Sequence, residues 1–241
     1  MRRRWPWLVG LWIGDAVSIA EVLDKARANR FVVAAAILFV VLSLVLLVCA
    51  GGASPANPLY AWGGLNHLLF LDINGFHAPL WDALMLAMTA LGDHGNFLRY
   101  LAIALLVSLW RPSWLPRRNV LVFFVGYGIT ALIAIQLKHW LDFPRPLLAL
   151  GQLVHVVGRP EFYHSFPSGH AIFAVLLAAS LSYRAPAPLR VALWVFAFMV
   201  CLSRLALGAH FPADVLGGAL IAYLTVFSLH WFLERKRRVI F

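Results

Sequence analysis

Ionisable residues gather at three separated points of this chain, each at the mouth of a strongly apolar segment, where charge costs free energy and calls for a reason. In KHWLDFPRP, Lys138 and Arg145 present two cations together, and Pro144 and Pro146 stiffen the exit so that the guanidinium is held rather than trailing. In Pro167-Ser168-Gly169-His170 a predicted helix begins, offering unpaired backbone N–H groups and a positive dipole end to an anion, and Gly169 permits close approach. The third point, SRLALGAHFPAD, supplies Arg204, a planar cation suited to bidentate phosphate contacts. It also places His210 and Asp214 four residues apart, so if a helix starts near Pro212 the carboxylate reaches the imidazole. Such a pair is a nucleophile or base with its orienter. The combined chemistry is anion capture beside an activated imidazole.

The elements that must position these residues are membrane helices. Residues are 62% hydrophobic and 12% charged, mean hydropathy is +0.82, and these values lie outside the range of soluble domains. The 241 residues leave room for about six spans of roughly 20 residues and no second soluble domain. The formal charge of +10 sits beside apolar runs, where topology and lipid head groups explain it without nucleic acid. Cys49 and Cys201 both fall inside apolar runs and read as small hydrophobes.

The expected architecture is all-α with six spans: Phe31–Ala50, Phe97–Trp110, Asn119–Leu137, Gly169–Tyr183, Val191–Leu207 and Ala213–Phe232. Residues 1–30 are expected to be a retained cytoplasmic segment, partly a surface-lying helix, ahead of a 31–241 membrane domain. Leu65–Leu91 mixes apolar residues with Asp72, Asn74, His77 and Asp82 and suits an interfacial or re-entrant element. The basic residues of 2–30, 111–118, 184–190 and 235–238 number 15 of the 20 Lys and Arg, so those segments and both termini are expected on the cytoplasmic face. Lys138, Arg145 and Arg204 lie on the opposite side, with Arg99 and Arg159.

In three parts this sequence resembles the type 2 phosphatidic acid phosphatase family. K-x6-RP matches Lys138, Arg145 and Pro146; PSGH matches Pro167, Ser168, Gly169 and His170; SR-x5-H-x3-D matches Ser203, Arg204, His210 and Asp214. The resemblance runs over about Leu68–Leu233 with no departure at these positions. It implies that His210 attacks the phosphoryl group, that Asp214 fixes its tautomer, and that His170 protonates the leaving oxygen. Lys138, Arg145, Arg204 and the backbone around Ser168 and Gly169 would hold the non-bridging oxygens, with no metal or other cofactor. The outer loops hold no carboxylate cluster suggesting an octahedral Mg²⁺ site.

The implied enzyme is an integral membrane lipid phosphatase facing away from the cytoplasm, in a bacterium the periplasmic side of the inner membrane. Its substrates would be undecaprenyl diphosphate, phosphatidylglycerol phosphate, phosphatidic acid or lipid A 1-phosphate. A phosphotransferase using the same site is the neighbouring alternative, and an anionic-lipid carrier, which would not need the His210 and Asp214 pair, is the non-enzymatic one. Asp142, Glu161, Tyr163 and His164 flank the motifs, in roles of substrate choice or structure; His67, His77, His94, His139, His155, His164 and His230 are expected at the surface or hydrogen-bonded.

Overall fold

The structure, a computed structural model, describes residues 64–239, with side chains to residue 234. The expected first span and the 1–30 segment lie outside the described residues. Within them the chain is helical and has no strand. The helices are α1 (Leu65–Asn74), α2 (Pro79–Leu91), α3 (Phe97–Trp110), α4 (Arg117–Leu141), α5 (Pro146–Leu150), α6 (Gly169–Leu181), α7 (Ala187–Ala206) and α8 (Pro212–Val239). Two 3₁₀ turns, His94–Asn96 and Gly151–Leu153, join them.

Helix α6 is the axis of the bundle. Every residue from Ala171 to Leu181 is buried, and α4, α7 and α8 pack around it. A helix apolar on all sides belongs in an interior, which here is built from Phe173, Leu176, Phe123, Val200 and Val226. The surrounding helices turn large apolar residues outward, among them Leu106 on α3, Leu132 on α4, Phe198 on α7 and Leu216 on α8. Lipid is the solvent that suits such a surface.

Among the described residues, three helical runs are long and apolar enough to cross a bilayer, those starting at Arg117, Ala187 and Pro212. The expected spans at Phe97–Trp110 and Gly169–Tyr183 form helices of 14 and 13 residues. At 1.5 Å per residue these are about 20 Å long, against a hydrocarbon layer of about 30 Å. Leu65–Leu91 is two helices broken over Gly75 to Ala78, with Pro79 opening the second. Its polar side chains were the reason to expect an interfacial element, and part of that polarity faces the protein: Asn66 and Asn74 are buried. Asn66 Oδ1 accepts from Ala213 N at 3.0 Å, and Asn74 Nδ2 donates to Ala206 O at 3.0 Å and to His155 O at 2.8 Å. Helix α1 thereby clasps the segment between α7 and α8 from both ends.

Candidate active site

The helix start expected near Pro212 is the observed one, with Asp214 in the first turn of α8. His210 Nδ1 faces Asp214 Oδ2 at 3.4 Å, and both side chains are buried. The turn carrying His210 curls back on α7, because Arg204 O accepts from both Ala209 N and His210 N, at 3.0 and 3.1 Å. Gly208 makes the turn possible: its φ is +75°, and a Cβ there would lie 2.5 Å from His155 O.

Asp214 Oδ2 also accepts from Phe211 N at 2.9 Å and from Ser165 Oγ at 2.6 Å. A carboxylate held by three groups cannot swing away from the imidazole. Asp214 O accepts from Ser168 N at 3.1 Å, joining the start of α8 to the start of α6. Ser168 caps α6 by accepting from Ala171 N, following a cis Phe166–Pro167 bond. The first N–H groups of α6 have no intrahelical acceptor. A Cβ on Gly169 would meet nothing within 4 Å, so this helix end opens onto free space. That space joins a cavity of about 390 Å³ lined by Lys138, His94 and Gly169 with Tyr127, Thr130, Ile135 and Phe173.

Three cations surround the imidazole. Arg145 Nη1 lies 3.4 Å from His210 Nε2 and donates to Ala209 O at 3.1 Å, and its Nε donates to Tyr163 O at 2.9 Å. The same guanidinium pairs with Glu161, which is about half exposed. Arg204 donates to Thr89 Oγ1 while its buried Nε has no partner among the described residues. Lys138, in the last turn of α4, donates to His164 O at 2.8 Å. Burial first, and then the charges of Arg145, Arg204, Lys138 and His170, hold the His210 imidazole well below its ordinary pKa. His210 is therefore a neutral imidazole at neutral pH.

All eight residues singled out from sequence, Lys138, Arg145, Ser168, Gly169, His170, Arg204, His210 and Asp214, fall at one end of the bundle. His170 lies in the first turn of α6 with Nε2 3.5 Å from Asp93 Oδ2. Asp93, Ser165, Thr89, Asn66 and Asn74 were not legible as site residues. Asp93 is part of the Gly92–Gly95 break in the sequence, which marks a turn but no chemistry, and Ser165 carries no spacing signal because its partner is 49 residues away.

A family model described as the PAP2 superfamily matches residues 83–238. The chain belongs to the PAP2 superfamily. Among curated relatives, it is 29% identical over 172 residues to phosphatidylglycerophosphatase B of Bacillus subtilis, covering 66% of this chain and 79% of that protein. It is 30% identical over 167 residues to the lipid A 4'-phosphatase of Bacteroides thetaiotaomicron, covering 64% and 70%. The undecaprenyl-diphosphatase BcrC of Bacillus subtilis is 26% identical over 179 residues, covering 72% and 86%. The crystal structure of Aquifex aeolicus LpxE matches with a TM-score of 0.62 at 27% identity, over 69% of this chain and 94% of that one. The fold is shared with a Bacillus subtilis PAP2 type phosphatidylglycerolphosphate phosphatase, at a TM-score of 0.63 over 81% and 96%. This PAP2 chain is a membrane phosphatase.

Proposed function

We propose that this phosphatase hydrolyses a membrane lipid phosphomonoester or diphosphate through a phosphohistidine at His210. The observation that carries the reading is the buried His210, backed by Asp214 and facing Arg145, beside the open helix end at Gly169. Phosphate oxygens bind to Lys138, Arg145, Arg204 and the N–H groups at the start of α6, which supply the positive charge that Mg²⁺ supplies in other phosphoryl transfers. His210 Nε2 forms a bond to phosphorus as the bond to the lipid oxygen breaks, and His170, which takes up a proton from water as the phosphate anion binds beside it, gives that oxygen its proton. Asp214 stabilises the positive charge of the imidazolium. His170, now neutral, then accepts a proton from the water that attacks phosphorus, and phosphate leaves.

The domain is read as six spans over residues 31–241, preceded by a cytoplasmic 1–30 segment, with both termini cytoplasmic and the site at head-group level on the opposite face. The asymmetry of Lys and Arg supports this orientation. In a bacterium that face is the periplasmic side of the inner membrane. The apolar wall beside Lys138 and Gly169 suits a lipid tail leading to a phosphate. Undecaprenyl diphosphate, phosphatidylglycerol phosphate and a lipid A phosphate are the candidate substrates, in keeping with the relatives. The test is phosphate release from a panel of head groups and tails by purified protein, with His210→Ala as control. His210→Ala should insert and fold yet release no phosphate; turnover near that of the wild type would sink the reading.

A further inference from the structure

Two histidines and a carboxylate outside the phosphate site converge from three places in the chain. His77 lies in the break between α1 and α2, Asp82 in the first turn of α2, and His155 in the loop after the second 3₁₀ turn. One ligand atom from each, an imidazole nitrogen from both histidines and a carboxylate oxygen, all lie within 4.8 Å of one another. His77 Nδ1 is 3.8 Å from Asp82 Oδ1, and the two imidazole rings have their centroids 3.6 Å apart. We propose that His77, Asp82 and His155 form a Zn²⁺ site, distinct from the phosphate site.

The donor set selects the metal. Two imidazoles and one carboxylate suit a borderline ion such as Zn²⁺, whereas Ca²⁺ and Mg²⁺ require mostly oxygen. Bonds of about 2.0–2.1 Å in a tetrahedral site place ligand atoms roughly 3.3 Å apart, so rotation of side chains already in contact closes the site. Both histidines are exposed and Asp82 is half-buried, which leaves the fourth position to water.

The backbone of His155 is already fixed. Asn74, 1% exposed, donates to His155 O at 2.8 Å and accepts from His155 N at 2.9 Å. A metal here would tie the α1–α2 corner to the loop that carries Glu161 and Ser165. The same Asn74 donates to Ala206 O, and His155 O abuts Gly208, so the brace reaches the turn holding Arg204 and His210. The role is structural support of the site, and the proposal stands whatever the phosphatase acts on.

The test uses the full, tag-free chain in detergent, stripped of metal and modified with diethyl pyrocarbonate with and without one equivalent of Zn²⁺. Mass spectrometry should show modification of His77 and His155 falling at least about tenfold with Zn²⁺, while the exposed His139 is unchanged. In parallel, Co²⁺ should bind at one equivalent with the visible absorption of a four-coordinate ion. His77→Ala and His155→Ala should each weaken that binding by at least about tenfold while phosphate release persists. Absence of one-equivalent Co²⁺ binding, or Zn²⁺ that leaves His77 and His155 as reactive as before, would overturn the site. Because the protection experiment uses the unaltered chain, it decides even where a substitution unfolds the protein.

Discussion

Ser165 donates its hydroxyl to Asp214 Oδ2 at 2.6 Å, the same oxygen that faces His210 Nδ1 at 3.4 Å. The loop before α6 thus sets the carboxylate that sets the imidazole. Hydrogen bonds to charged groups contribute about 1.5–3 kcal/mol, so Ser165→Ala should lower kcat by roughly 10- to 100-fold. KM should hardly change, because Ser165 touches no cation of the phosphate site. Ser165→Thr should restore most of the rate, and a loss confined to KM would contradict a positioning role.

His210 links folding to pH. Its imidazole is held below the ordinary value of 6.5 by burial and by Arg145, Arg204 and Lys138. Between the folded value and 6.5 the unfolded chain binds the proton that the folded chain refuses, so in that window stability rises with pH. The contribution is therefore fully present above about 6.5 and is lost as pH falls below it. Thermal unfolding of the wild type against His210→Gln, followed from neutral to acid pH, should show a steeper acid decline in the wild type. Parallel curves would contradict this origin.

Glu161 competes with phosphate. Its carboxylate pairs with Arg145, and it is about half exposed, so screening by water limits the strength of the pair. Such pairs are worth up to about 1 kcal/mol, and Glu161→Gln should lower KM by about two- to fivefold with kcat little altered. Steady-state kinetics separates this from a positioning role, in which the same substitution would raise KM.

Helices α6 and α8 meet at glycine. A Cβ on Gly218 would stand 2.7 Å from Ser168 O, backbone that cannot yield without moving the start of α6. Gly218→Ala should destabilise the protein by about 1–3 kcal/mol, as overpacking does. It should also reduce turnover, since Ser168 N is bonded to Asp214 O. Thermal unfolding and phosphate release measured together check both halves.

Lys138, Arg145 and Arg204 supply the positive charge that neutralises the transferred phosphate, so release should continue in excess EDTA and be inhibited by vanadate, which mimics pentacoordinate phosphorus. An absolute requirement for Mg²⁺ in the assay would contradict that assignment. Stripping metal from His77, Asp82 and His155 should show in thermal stability while leaving the chemistry in place.

By itself, the sequence determined the features that repeat locally or lie a few residues apart. Apolar runs marked helices, Pro212 marked the start of α8, and the i, i+4 spacing of His210 and Asp214 marked their pairing. Charge in apolar surroundings marked Lys138, Arg145 and Arg204 as needing a function. Tertiary structure decided what those spacings leave open. It turned Leu65–Leu91 into two helices whose buried Asn66 and Asn74 hold the α7–α8 turn, and it gave Asp214 its third partner in Ser165. It also set Glu161 on Arg145 and brought His155 against His77. These contacts reach far beyond a helical turn in sequence and are made by single polar side chains, and neither helical period nor composition records which distant group a buried amide or hydroxyl will satisfy.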